Sequence, residues 1–190
     1  MTTLREIQAR VGVAADGVIG PKTLDAIAVA LGMSVTRRPS ATITSFVRKT
    51  EALEKKRGDG RVEAYLPTAD DVPTIGYGST GPDITMGLIW TVEQCEARFA
   101  AQFAQFASAV DDLLGAAPTS QGQFDAMVSL TYNIGVKAFR ESTLRRLHLE
   151  GDYAGARGQF ARWNKQAGKV LNGLTIRRAA EAEFYAGAAA

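Results

Sequence analysis

Val92, Cys95, Phe99, Phe103, Phe106, Val110 and Leu113 recur at steps of three and four residues without a break, and Pro118 lies beyond the last of them. A stripe that long predicts a single helix of about 30 Å, the width of a small domain. Its regular spacing reads as a core or domain-bridging face rather than a cofactor site. Thr91-Val-Glu-Gln94 has the form of a capping box and marks its start. Any fold for this chain must be arranged around that rod.

The neighbouring segments are helical as well. Ser120-Gln-Gly-Gln123 caps a helix that carries Phe124, Met127, Leu130 and Ile134 and stops at Gly135. Shorter helices are predicted over Ser142 to His148, Tyr153 to Asn164 and Leu174 to Tyr185. The Ala186 to Ala190 tail is expected to fray. Upstream of the rod, Ile43, Phe46, Val47, Thr50 and Leu53 line one face of a helix that is expected to run to Glu54, with Gly58-Asp-Gly60 barring its continuation. Next come a strand-like run, Arg61 to Leu66, an acidic turn, Thr68-Ala-Asp-Asp71, and a Gly-rich hairpin, Val72-Pro-Thr-Ile-Gly-Tyr-Gly-Ser-Thr80. No βαβ repeat is present. The expected class is α+β: a small antiparallel hairpin sheet plus a helical bundle over residues 42–190, preceded by a small helical hairpin.

That first hairpin occupies residues 1–33. Leu4, Ile7 and Val11 share one helical face, Asp16 to Gly20 form a turn, Pro21 opens the next helix, and Leu24, Ile27, Ala28 and Leu31 line it. The unit is too short to bury much core alone. Residues 34–41, with Pro39 and no apolar period, read as a linker.

Composition removes several functions. The net charge is +2, from 22 basic and 20 acidic residues, too even for a dedicated nucleic-acid binder. The single cysteine, Cys95, excludes an intrachain disulfide and reads as a buried small hydrophobe. With one histidine, His148, a histidine-based metal centre or a serine–histidine triad would have to use that residue, and a structural or surface role is expected instead. No metal or organic cofactor is implied. No apolar run reaches membrane-spanning length. The start Met-Thr-Thr-Leu-Arg-Glu-Ile lacks a basic region and an apolar core, so it is not read as a signal peptide.

The most specific motifs surround the hairpin. Alone, Glu51 beside Lys49, Glu54 and Lys55 would read as a solvated helix carboxylate. It belongs, however, to an ordered series: Phe46-Val-Arg-Lys-Thr-Glu51, then Ala64-Tyr65, then Thr74-Ile-Gly-Tyr-Gly78. Further along come Gln123-Phe-Asp-Ala-Met-Val-Ser-Leu-Thr-Tyr-Asn-Ile-Gly135, Ala138-Phe139, Ser142-Thr-Leu144, Phe160-Ala-Arg-Trp163, Gly173-Leu-Thr-Ile-Arg-Arg178 and Glu181. In this order, over roughly residues 42–185, these motifs resemble the phage-type lysozymes, glycoside hydrolase family 24.

The resemblance implies a muramidase. Such an enzyme hydrolyses the β-1,4 bond between N-acetylmuramic acid and N-acetylglucosamine in bacterial peptidoglycan and so lyses the host cell. It implies Glu51 as the general acid, with Glu54 the weaker alternative, and Thr74 as a holder of the attacking water. It further implies Arg177 as partner of the catalytic glutamate, and Tyr77 and Asn133 as substrate-binding residues. The family aspartate is not where counting places it. Six residues before Thr74 stands Thr68, with Asp70 and Asp71 following, so the second catalytic position is taken as Asp70 with Thr68 and Asp71 open. The gap between Glu51 and Tyr65 is also longer than the family pattern. That displaced acid keeps a second reading open, a wall-binding protein with a weakened or inactive lysozyme scaffold. Ile7-Gln8, Asp16-Gly17-Val18 and Gly20-Pro21-Lys22-Thr23 look like a helical peptidoglycan-binding domain, which makes the wall the expected partner. A monomer is expected, made in the host cytoplasm and acting on the wall in the periplasm after release by another agent, such as a holin pore.

Overall fold

The computed structural model describes residues 2–31, 36–51, 53–69 and 71–187. Its first unit is α1 (Leu4–Arg10) and α2 (Pro21–Ala30). Thr3 and Glu6 cap α1 reciprocally, Thr3 Oγ1 accepting from the Glu6 amide and Glu6 Oε2 from the Thr3 amide. The residue that α1 buries is not one of the expected apolar three but Gln8, while Ile7 is exposed. The Gln8 amide donates to Asp16 Oδ1 at 2.7 Å and to the Val18 carbonyl at 2.9 Å, and its oxygen accepts from the Gly17 amide at 2.8 Å. A buried amide is tolerated when its donors and acceptor are satisfied, and here it ties the turn to the helix. Leu24 and Leu31, expected on the inner face, are exposed. Two short helices cannot enclose both.

The larger unit runs α3 (Ala41–Glu51), β1 (Val62–Glu63), β2 (Ile89–Trp90), α4 (Val92–Leu114), α5 (Gln121–Ile134), α6 (Val136–Arg140), α7 (Thr143–Leu149) and α8 (Tyr153–Gln159). A 3-10 turn (Phe160–Trp163), a two-stranded hairpin of β3 (Lys165–Gln166) and β4 (Lys169–Val170), and α9 (Asn172–Ala186) complete it. The segment read as a linker is tied down at its C-terminal end. Arg37 donates to Asp111 Oδ1 at 2.7 Å and to the carbonyls of Gly115 and Ala117 at 3.0 and 2.9 Å. The Ser40 amide donates to Asp125 Oδ1 at 2.9 Å. A helix end leaves carbonyls without partners, and the fork of an arginine supplies donors and a favourable charge there.

Three expectations need correction. The helix that starts at Ala41 ends at Glu51, not Glu54. Glu54 and Lys55 form a turn, and Lys55 is left-handed at φ 53, which a continuing helix does not allow. Within Arg61 to Leu66 only Val62 and Glu63 form a ladder, opposite Trp90 and Ile89. The Gly-rich hairpin adds only single bridges, Tyr65 to Thr74 and Ile75 to Ser79, because Pro73, Gly76 and Gly78 interrupt any longer pairing. Finally, α8 stops at Gln159 and the chain reverses through β3 and β4. Ala167 (φ 47) and Gly168 (φ 78) supply the two positive dihedrals that a two-residue hairpin turn needs.

The rod is α4, and it joins two regions. Near its start Cys95 and Phe99 hold the hairpin. A Cβ on Gly76 (φ 65) would lie 3.0 Å from Cys95 Cβ and Sγ, and the Tyr77 ring packs 5.3 Å from that of Phe99. Val110 and Leu114 are buried toward the other end. Beside α4 runs α5, whose residues Phe124 to Thr131 are all buried. A helix buried on every side is the centre of its domain. It packs on α3, α4, α6 and α9.

Candidate active site

Glu51 is the last residue of α3, so its side chain leaves the helix where three distant segments meet. Oε1 accepts from Arg177 Nη1 of α9 at 2.5 Å. Oε2 faces Gly78, lying 3.2 Å from the point a Cβ would occupy there. Gly78 has φ 78, so both the backbone shape and the carboxylate require glycine. Glu51 keeps 18% of its side chain accessible, whereas Arg177 keeps 4%. The carboxylate is reachable and its partner is not.

The Gly76-Tyr77-Gly78 turn opposite Glu51 is fixed from several sides. Tyr132 Oη of α5 donates to the Tyr77 carbonyl at 2.9 Å. Ser79 Oγ donates to Gln102 Oε1 at 2.7 Å. Burial pushes the Tyr132 phenol well above its usual range, and the nearby Glu51 charge adds to it, so Tyr132 stays a donor. Tyr65, on the facing side, is raised by burial and then by Glu54 and Glu51.

Behind Arg177 lies a charged cluster inside the protein. Arg177 Nε donates to Glu181 Oε1 at 3.2 Å, and Nη2 donates to the Ser129 carbonyl at 3.4 Å. Glu181 is fully buried and also accepts from Ser129 Oγ at 2.7 Å and Arg178 Nη2 at 3.0 Å. Arg178 Nε sits 3.0 Å from Glu181 Oε2 without hydrogen-bond geometry. Burial drives Glu181 upward, and the Arg178 and Arg177 guanidiniums and the Ser129 hydroxyl oppose it. Burial lowers Arg178 to about 10, which leaves it charged at neutral pH. Two guanidiniums and a hydroxyl all donate to Glu181 Oε1.

The remaining candidates are placed as follows. Thr74 is buried, pairs with Tyr65 through both backbone groups at 2.8 and 2.9 Å, and donates its hydroxyl to the Val72 carbonyl at 3.0 Å. Asp70 lies outside the described residues. Thr68 Oγ1 donates to Asp71 Oδ2 at 2.9 Å, and the Asp71 amide returns a bond to the Thr68 carbonyl, so these two close the turn on each other. Asn133 is exposed at the end of α5. Tyr77 is expected at the substrate. Its ring is buried on Phe99, and its backbone carbonyl accepts from Tyr132. His148 is buried in a structural role. Its Nδ1 lies 2.6 Å from Tyr185 Oη and its Nε2 2.9 Å from Thr119 Oγ1, and burial holds it at about 4. Among the described residues no cluster of side chains could hold a metal ion, and no helix is long and apolar enough to cross a membrane. A cavity of about 390 Å³ lies between α8 and α9, lined by residues such as Ala154, Gly158, Ala161 and Ala182, and Glu51 is not part of its wall.

Gly78, Ser129, Tyr132 and Glu181 lie within the sequence motifs, but spacing alone assigns them no role. Only position could have flagged them: Tyr132 precedes Asn133 in the central helix, and Glu181 follows Arg177 by one helical turn.

A hairpin region and a helical region joined by one long helix, with a glutamate at their seam, define a lysozyme fold. Solved structures of similar shape agree. An endolysin from Escherichia coli O157:H7 phage FAHEc1 aligns with TM-score 0.67 and 34% identity, over 80% of this chain and 96% of its own. The muramidase domain of SpmX from Asticaccaulis excentricus aligns with TM-score 0.67 and 29% identity, over 78% and 97%. The family described as phage lysozyme matches residues 56–181, and the chain belongs to that family. An endolysin of Bacillus phage PZA is 42% identical over 112 residues, 59% of this chain. The chain spans about half the length of the Bacillus phage endolysins it matches, 43% of the PZA protein and 48% of that of phage B103. The family match begins after Glu51, so the place of that residue rests on the geometry above.

Proposed function

We propose that this protein is a muramidase of the endolysin kind, hydrolysing the β-1,4 bond between N-acetylmuramic acid and N-acetylglucosamine in bacterial peptidoglycan. The observation that carries the reading is Glu51: a carboxylate at a helix end, one oxygen held by a buried arginine, the other turned toward a glycine turn. Family membership and the muramidase domain among its structural neighbours support it.

Glycoside hydrolysis needs a proton for the leaving oxygen and a water delivered to an oxocarbenium-like centre. Glu51 gives the proton from Oε2, the oxygen that Arg177 does not engage. Thr74 and an acid of the Thr68 to Asp71 turn hold the water on the opposite sugar face. Asp70 takes that second position, since Asp71 and Thr68 are occupied with each other. Asn133 and the backbone of the Tyr77 turn border the glycan. No cofactor enters. Residues 1–33 bind the wall, and the monomeric chain reaches it in the periplasm after release from the cytoplasm.

Glu51→Gln removes the proton and keeps the shape. General acid catalysis contributes about 10²–10⁴-fold, so turbidity loss of permeabilised cells should drop by that factor while melting is unchanged. Full activity of the variant refutes the assignment and redirects it to Glu54. Reducing-end analysis of digested sacculi should show hydrolysed and not anhydro-muramyl ends. Asp70→Asn, Asp71→Asn and Thr68→Ala, assayed side by side, place the second group. Loss in Thr68→Ala alone rejects Asp70. Pelleting the Glu51→Gln protein with sacculi, with and without residues 1–33, tests the wall-binding role, and equal pelleting rejects it.

A further inference from the structure

Arg177 is a shared cation. Its Nη1 meets Glu51 and its Nε meets Glu181, so two carboxylates draw on one guanidinium. What each receives depends on the groups around them. Glu181 is faced by Arg177 and Arg178 on its own helix and by the Ser129 hydroxyl of α5. Glu51 is faced by Arg177 from α9, Tyr132 from α5 and Tyr65 from the hairpin region, with Arg178 within electrostatic reach. Two acids and two guanidiniums make a balanced set. Without Glu181, both guanidiniums would lie behind a single carboxylate, Glu51.

A purely structural reading makes Glu181 the counterion of buried Arg178 and nothing more. It leaves the bond to Arg177 Nε without a purpose. That bond is made by the oxygen that also carries Ser129 and Arg178, and it turns the guanidinium so that only Nη1 reaches Glu51.

We infer that Glu181 is a positioning residue that takes a share of Arg177 from Glu51 and so sets the pH range over which Glu51 can act as an acid. The inference rests on the muramidase reading. Glu181 touches no substrate, since it is fully buried, and acts only through Arg177.

The test is the pH dependence of kcat/KM on soluble peptidoglycan fragments for wild type and Glu181→Gln. Glutamine keeps the shape and an acceptor oxygen but loses the charge. Opposite charges within a few ångströms move a titration by about one unit or more. The alkaline limb of the Glu181→Gln profile should therefore move toward acid, so that activity lost at neutral pH is regained on acidification. The charge-balanced double variant Glu181→Gln/Arg178→Met is measured beside it. Both buried charges are removed there together, which replaces the pair without leaving a lone ion, and the limb should move the same way but less, since Arg178 no longer adds to Arg177 behind Glu51. An unmoved limb with activity lowered at every pH overturns the inference and leaves Glu181 a packing residue. Glu51→Gln run in parallel separates the two questions. An active Glu51→Gln sinks the muramidase assignment itself, while an inactive one with an unmoved Glu181→Gln limb sinks only the role of Glu181.

Discussion

Arg37→Ala should destabilise this protein by about 2–3 kcal/mol without changing the catalysis of folded molecules. The side chain makes three bonds, at 2.7 Å to Asp111 Oδ1, 3.0 Å to the Gly115 carbonyl and 2.9 Å to the Ala117 carbonyl. Both members of the ion pair are largely covered, with 18% and 15% of their side chains accessible. A hydrogen bond to a charged group contributes about 1.5–3 kcal/mol net. The three share one guanidinium and do not add, so the upper end of one such bond is the right scale. Truncation also strips the C-terminal carbonyls of α4 of their cation, worth a further fraction of a kcal/mol. Urea unfolding should show the midpoint falling with an unchanged slope, the mark of a stability change alone. For a chain of this size the melting temperature should drop by about 5–10 °C. A matched pair of truncations sharpens the test: protein begun at residue 36 should retain this stability, and protein begun at residue 42 should lose at least as much as Arg37→Ala. A change below about 0.5 kcal/mol in the point variant refutes the reasoning and returns Arg37 to the linker that the sequence alone suggests.

Three further outcomes follow from the packing and the titration. A Cβ on Gly122 would lie 2.3 Å from the Phe184 carbonyl oxygen, whereas one on Gly158 meets nothing within 4 Å. Gly122→Ala should therefore cost about 1–3 kcal/mol by forcing α5 from α9, and Gly158→Ala in α8 should stabilise by about 0.5–1 kcal/mol, both read as shifts in urea midpoint. His148 is held at about 4 in the fold by burial, with Arg37 adding to it, against 6.5 unfolded. Between those values the unfolded chain binds the extra proton, so stability is full above about pH 6.5 and falls by up to about 3 kcal/mol as pH drops to 4. Comparison with His148→Phe across pH 4–7 isolates this share; equal slopes for the two proteins count against it.

The helices were the legible part of the fold. The α4 stripe and the capping boxes at Thr91 and Ser120 act through neighbours three or four residues apart, and that periodicity survives in a bare sequence. Thr3 and Glu6 form the same box, visible but passed over. The two-residue strands had no such period. Val62 and Glu63 find Trp90 and Ile89 only through tertiary closure, and the polar stretch from Lys165 to Val170 forms a hairpin with Val170 its single β-branched residue. Gln8 was hidden because a buried amide looks like a surface one until its partners at Asp16, Gly17 and Val18 are in place. The site divides the same way. Glu51 and Thr74 stand in a recognisable order, and the resemblance named Arg177 as the partner. Glu181, four residues beyond Arg177, has the spacing of an ordinary solvent-side helix pair. Its burial depends on α5 passing behind it, which no local pattern encodes.

The bond between Glu51 and Arg177 joins positions 126 residues apart. Arg177 belongs to α9, so the constellation around Glu51 exists only once that helix has docked on α5. A nascent or partly threaded polypeptide would hold the hairpin and the long helix yet lack the cation that orients the carboxylate. On the muramidase reading, competence would then be a property of the finished domain, and a chain interrupted anywhere before α9 would be inert.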